Sequence, residues 1–334
     1  MRSEFALLEA LRSRLSGDSP RVPLGVGDDA AVLDIAGAEV AVAVDALVEG
    51  VHFDLAISSH ADVGWKALAA NVSDLAAVGA RTRAALVVLQ RPSGFDDAAA
   101  EDLYRGLGQA AGRWEVALVG GDLVSGPGLA VSVTVVGELV GARPLRRADA
   151  VPGQAVVVIG PLGQAAAGLA LARAGRHDLL DRHPQLLARH RRPEAQAEAG
   201  AVLVDVGAGA CIDVSDGLGR DAGHVARASG VRLRLSSEHL PVDPGVAAAA
   251  EALGSDPLDL VCGGGDDLAL LATVDHDRLA TLVDRLGGLA VAWRQVGTVD
   301  EGEGVRLVLP DGRERDVGAL GWEHAADEET DRDR

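Results

Sequence analysis

Short apolar runs that each lead into glycine and aspartate recur along the chain, and they constrain the fold more than any other feature. Val40-Ala-Val-Ala-Val44 reads as a buried strand delivering Asp45 at its C-terminal end. Val116 to Val119 runs into Gly120-Gly-Asp122, and Ile212 opens Asp213-Val-Ser-Asp216-Gly217. Val261-Cys-Gly-Gly-Gly265 ends in a pair, Asp266-Asp267, which matches Asp28-Asp29 near the start of the chain. Helical segments lie between these runs.

The 334 residues are enough for two domains, each burying its own core. Gly141 to Gly153 holds two prolines, two glycines and three arginines, the composition of a connection between them. Before it we expect helices over 3–15, 61–78 and 96–113, with strands over 84–90 and 129–136. Leu129, Val131, Val133 and Val135 alternate with Ala130, Ser132 and Thr134, the period of a half-exposed strand. After it we expect strand 155–159, a helix to about Ala174, helix 194–206 and a helix ending near Ser229. Strands 231–235, 268–274, 290–298 and 305–309 and helix 277–286 complete the second half. The charged end after Asp327 reads as a frayed tail.

Net charge is -19, which argues against nucleic acid held on a broad basic surface. The only lysine is Lys66, so no P-loop is present, and on a helix it reads as a solvated group. His177, His183 and His190 lack the spacing of a helical metal pair and read as solvated. Two cysteines are too few for a disulfide framework, and no apolar run approaches the roughly 20 residues that span a bilayer. The opening residues lack the apolar segment of a signal peptide, so the expected location is cytoplasmic.

Carboxylate oxygens are the natural ligands of hard cations. Asp28, Asp29, Asp45, Asp74, Asp122, Asp213 and Asp216 stand at expected turns, strand ends or helix starts, with Asp266 and Asp267 beside them. No EF-hand spacing occurs. Mg²⁺ takes one or two protein carboxylates together with waters and substrate phosphates, so several such ions around a triphosphate use this many aspartates. Asp213 to Gly217 precedes a helix whose free N–H groups suit phosphate oxygens. These residues point to ATP-dependent phosphoryl transfer, which needs positioning and charge neutralisation more than covalent chemistry. Asp29 is the expected metal ligand of the first pair, with Asp28 shaping the turn.

Five segments then carry a resemblance: Leu47-Val-Glu-Gly-Val-His-Phe53, Lys66 through Asn71-Val-Ser-Asp74 to Gly79, Gly120-Gly-Asp122, Asp213-Val-Ser-Asp-Gly217 and Gly264-Gly-Asp-Asp267. In this order the chain resembles the thiamine-monophosphate kinases, within the aminoimidazole ribonucleotide synthetase-like superfamily, from about Phe5 to His324. The resemblance implies an α/β (α+β) fold of two domains, the first over 1–142 with a mixed sheet and helices, bearing ATP, Mg²⁺ and the dimer contact. It also implies a C-terminal α/β domain over 143–325, followed by an acidic disordered tail over 326–334.

The implied reaction is direct transfer of the ATP γ-phosphoryl group to thiamine monophosphate, with no phosphoenzyme, in a homodimer. Asp29, the backbone of Val44, Asp45, Asp74, Asp122, Asp213 and Asp216 are the implied Mg²⁺ ligands, with Asp45 and Asp213 central to catalysis. Tyr104, Gly121, Asp122, Arg147 and Ser215 are implied for ATP, and His52, Asp266 and Trp322 for thiamine monophosphate. Four residues, at three places, depart from the family pattern. Ala43-Val44 replace hydroxyl residues, Asp266 replaces glutamate, and Ala325 follows His324 where phenylalanine is common. The alternatives are a related enzyme with another acceptor, separable by the Glu49 to Phe53 segment, and a homologue that binds nucleotide or thiamine without turnover.

Overall fold

The computed structural model describes Leu11, Ser19 and residues 21–289 and 291–323. The expected helix over 3–15, the tail and His324 lie outside the described residues.

The first half builds a five-stranded sheet in the order β1-β2-β5-β3-β4. Its strands are β1 (Ala31–Ile35), β2 (Ala38–Val48), β3 (Ala80–Arg91), β4 (Ala117–Ser125) and β5 (Ala130–Leu139). β1 and β2 form a hairpin whose two turn residues, Ala36 and Gly37, have φ of 56° and 87°. Both central residues of such a tight turn need positive φ, which matches the right-handed strand twist. The alternation read in β5 holds, with Val131, Val133 and Val135 fully buried.

Helices α1 (His60–Ala77) and α2 (Asp97–Trp114) cover one face of this sheet. They meet through Gly64 and Gly106, where a Cβ on Gly106 would fall 1.8 Å from the carbonyl oxygen of Ala61. Only glycine permits that backbone approach.

The second half builds a seven-stranded sheet in the order β12-β11-β8-β10-β6-β9-β7. Its strands are β6 (Ala155–Ile159), β7 (Cys211–Val214), β8 (Arg232–Ser236), β9 (Ala269–Val274), β10 (Trp293–Asp300), β11 (Gly304–Val308) and β12 (Glu314–Asp316). Every residue of β6 and β9 is buried, because apolar clusters cover both faces.

The helices of this half are α3 (Gln164–Arg173), α4 (His177–Arg182), α5 (Pro184–Arg191), α6 (Ala197–Val206), α7 (Leu218–Ser229), α8 (Pro244–Leu253), α9 (Pro257–Gly263) and α10 (Leu279–Gly287). The halves pack through α1 and α6, where a Cβ on Gly200 would meet the Ala76 carbonyl oxygen at 2.4 Å. Among the described residues no helix is long and apolar enough to cross a membrane.

Two expectations need correction. Asp45 is not at a strand end, because β2 keeps pairing with β5 as far as Val48 opposite Ala130. Gly120-Gly-Asp122 is not a loop, because β4 continues through it, paired with β3 as far as Ser125 opposite Arg91. In both places the neighbouring strand supplies hydrogen bonds that local composition does not reveal.

Candidate active site

Helix α1 organises the site. Ser59 and Asp62 form a reciprocal capping box that fixes its start. Asn71, buried, accepts from the Asp45 backbone N–H at 3.0 Å and donates to the Ala67 carbonyl oxygen at 2.9 Å. Ser73, also buried, donates from Oγ to Asp213 Oδ2 at 2.6 Å. Asp74, the next residue, offers an oxygen that lies with one each from Asp29 and Asp213 within 4.8 Å of one another. Three separate stretches of sequence therefore deliver one carboxylate each to a single point.

Such a cluster repels itself. Burial, followed by the charges of Asp213, Asp29 and Asp45, holds Asp74 well above the ordinary carboxylate range. Burial and Asp29 push Asp213 up to about 8. Arg147 opposes both shifts, because Nη2 sits 2.6 Å from Asp29 Oδ1 and Nε 3.3 Å from Oδ2. The Arg147 backbone N–H also donates to Asp28 Oδ1 at 3.2 Å. Burial and Asp29 push Asp28 up to about 6, so the first aspartate pair divides between the turn and the cluster.

The Asp213 to Gly217 loop hangs on Asp221. One oxygen, Oδ2, accepts from the backbone N–H groups of Ser215, Asp216 and Gly217, each at 3.1 Å. The second aspartate pair divides as well. Asp267 Oδ2 accepts from the Gly163 backbone N–H at 2.6 Å, just before α3, and burial pushes its pKa up to about 8. Asp266 stands in the left-handed region at φ 67°, with its N–H bonded to the Ser215 carbonyl oxygen at 2.8 Å.

Both halves line a cleft of about 610 Å³. Its lining includes Asp45, Asp74, Asp213, Asp216 and Ser215, with Val44. His52, Lys66, His190 and Asp266 line the same cleft. Trp322, 51% exposed, also lines the cleft, and its backbone N–H donates to the Asp216 carbonyl oxygen at 2.9 Å.

Lys66 is not solvated but 4% exposed, because its ammonium meets the Asp266 carboxylate and the His52 carbonyl oxygen. His190 is likewise buried, on α5 against the same carboxylate. Lys66, Ala70 and Asp74 recur every four residues and all line the cleft, which is the signal that marks Lys66. Ser73, Asp221 and His190 carry no comparable mark in the sequence.

Tyr104, Gly121 and Asp122 do not line this cleft. Asp45, Val133, Val87 and Gly121 form one row across four strands. Asp122 belongs to the next row, opposite Val88, so its side chain leaves from the other face of the sheet. Three strand spacings also put it about 14 Å from β2. Within one chain, Asp122 and Asp45 are not neighbours.

The donor set at Asp29, Asp74 and Asp213 is all carboxylate oxygen, as a hard divalent cation requires. Such an ion would relieve the repulsion that raises Asp74 and Asp213.

Residues 27–139 match the AIR synthase related protein N-terminal domain, and residues 151–310 match the corresponding C-terminal domain. A thiamine-monophosphate kinase of Mycobacterium tuberculosis is 40% identical over 96% of this chain and 91% of its own length. One of Aquifex aeolicus is 32% identical over 96% of this chain and 97% of its own. A solved structure described as AaThiL complexed with AMPPCP and TMP superposes with a TM-score of 0.84 at 32% identity, covering 97% of this chain and 99% of that one. The chain thus belongs to the thiamine-monophosphate kinase family, built from the two AIR synthase related domains.

Proposed function

We propose that the chain phosphorylates thiamine monophosphate to thiamine diphosphate with ATP, by direct in-line transfer of the γ-phosphoryl group. One observation carries this reading. A single cleft is lined both by the carboxylates Asp45, Asp74, Asp213 and Asp216 and by His52, Asp266 and Trp322. The relative bound to AMPPCP and TMP supports it.

Asp29, Asp74 and Asp213 would hold Mg²⁺, joined by Asp45, Asp216 and the Val44 backbone at the cleft wall. Bound there, Mg²⁺ supplies neutralisation of phosphate charge. Arg147, paired with Asp29, would exchange that carboxylate for a nucleotide phosphate, as its planar fork allows. Ser215 presents its hydroxyl at the same wall. His52 and Asp266 orient the acceptor, and Trp322 offers a flat face to a thiazolium cation. The acceptor's phosphate oxygen forms the new P–O bond while the bond to ADP breaks, so no side-chain nucleophile takes part.

Val44, Leu86 and Val88 are exposed on the sheet face opposite α1 and α2, and Val119 and Val124 on β4 are exposed too. A patch of this size on a water-facing sheet supports a homodimer built on that face. Asp122 would then face the second chain, with Gly121 beside it and Tyr104 available to the nucleotide. The domain limits of 1–142 and 143–325 belong to the same reading.

The test supplies ATP, Mg²⁺ and a panel of acceptors and measures ADP with the phosphorylated product. Thiamine diphosphate is expected as the product. ADP formed with another acceptor and never with thiamine monophosphate would overturn the assignment.

A further inference from the structure

Two helical turns before Asp74 on the same helix, the cleft is lined by Lys66, with Asp266 and His190 beside it. Lys66 Nζ lies 2.7 Å from Asp266 Oδ2 and 2.9 Å from the carbonyl oxygen of His52. One ammonium therefore ties together two stretches separated by more than two hundred residues. The Lys66 side chain is 5% exposed and that of Asp266 39%, so the lysine lies behind the carboxylate. A buried pair of this kind contributes little net stability, and its main effect is to fix geometry.

His190 lies on another side of the same carboxylate, with Nδ1 3.6 Å from Oδ2. That nitrogen is buried and, among the described residues, has no hydrogen-bond partner. Burial and the Lys66 charge push His190 down to about 4, so at neutral pH it does not compete with Lys66 for the carboxylate. The Asp266 backbone is held in the left-handed region by its bond to Ser215. Oδ2 is thus committed to Lys66, and among the described residues no hydrogen bond reaches Oδ1.

We propose that Lys66 and His190 are positioning residues that make the cleft selective for an acceptor with an amino group on a nitrogen heterocycle. Lys66 holds Asp266 so that Oδ1 receives the exocyclic N–H, and His190 completes the polar wall beside it. The aminopyrimidine of thiamine monophosphate has this chemistry, so the inference rests on the proposed acceptor. A wall built to pair with an amine leaves buried groups unpaired when the amine is missing, and such sites discriminate strongly. Neither residue touches the transferring phosphoryl group.

The experiment compares thiamine monophosphate with the analogue that carries oxygen in place of the exocyclic amine. It uses the wild type, Lys66→Met, His190→Gln, Asp266→Asn and the Lys66→Met/Asp266→Asn double variant. Lys66→Met is expected to raise KM for thiamine monophosphate at least tenfold and to erase at least tenfold of the amino-over-oxo preference. KM for ATP should stay within about twofold. His190→Gln should shift the preference in the same direction by about threefold. The double variant should be no worse than Asp266→Asn alone, because Lys66 acts through that carboxylate.

An unchanged preference in Lys66→Met, or equal rises in both KM values, would overturn the inference. If Lys66→Met does not fold, His190→Gln carries the test, and an unchanged preference there overturns the inference. A wild type that makes no thiamine diphosphate would count against the reaction instead. Calorimetric binding of the two phosphates to wild type and Lys66→Met would then decide the inference by the same ratio.

Discussion

Arg147 holds Asp29 through two guanidinium nitrogens, and 118 residues of chain separate them. The pair joins the first turn of the N-terminal half to the connection between the halves. It also places a cation that opposes the raised pKa of Asp74 and Asp213. Removing it should leave Asp29 exposed to Asp74 and Asp213 without relief. Breaking a pair of this kind costs about 3 kcal/mol. We expect Arg147→Met to melt roughly 5 °C or more below wild type in chelator. Mg²⁺ should restore part of the loss, because it replaces the missing positive charge. Equal melting losses with and without Mg²⁺ would show that Arg147 is only a packing residue.

Asp213→Asn should separate stability from activity. The neutral amide ends a repulsion that burial makes severe, so the metal-free variant should melt at or above the wild-type temperature. Turnover should fall at least a hundredfold, and Asp45→Asn should behave similarly in turnover. Steady-state kinetics paired with thermal melts give both readings. Wild-type rates in both variants would remove the metal argument.

The pH dependence follows from the same groups. Asp213 and Asp267 are raised to about 8, and Asp74 and Asp221 lie well above their ordinary range. An acid raised on folding stabilises the fold when protonated, and loses that contribution as pH rises through its folded pKa. Chelated protein should therefore gain melting temperature from about pH 9 to pH 7. Below about 6.5 the trend should weaken, because His190 and His224 are held near 4 and resist the protonation that unfolding would permit. Mg²⁺ should flatten the part due to Asp74 and Asp213 and leave that due to Asp221 and Asp267. A chelated protein that gains stability towards pH 9 would contradict this account.

How much the sequence disclosed depended on range. Asp45, Asp74 and Asp213 were legible because carboxylates among small and apolar residues are a local pattern, although the structure places all three inside strands or a helix. The alternation of Val131, Val133 and Val135 was equally local, and β5 formed as read. Lys66 was misread because its partner, Asp266, lies 200 positions away, and nothing near Lys66 reports that it is covered. Gly120-Gly121 read as a loop because glycine is a turn residue, whereas β3 supplies the pairing that keeps β4 extended. The β1 hairpin and helices α8 and α9 were too short for periodicity to resolve them.

The exposed face of the first sheet should bury itself in a second chain. Light scattering is expected to give twice the 34.1 kDa chain mass. Val88→Glu places a charge opposite Asp122 on that face and should yield monomers with weakened ATP affinity. A wild-type monomer with full activity would rule out the dimer.

The central claim is that this cleft moves a phosphoryl group from ATP onto the phosphate of thiamine monophosphate. Incubation with γ-labelled ATP, Mg²⁺ and thiamine monophosphate tests it directly. Label is expected in the terminal phosphate of thiamine diphosphate, with ADP formed in equal amount and no label left on the protein. Label retained on a side chain, or ATP consumed without thiamine diphosphate, would contradict it.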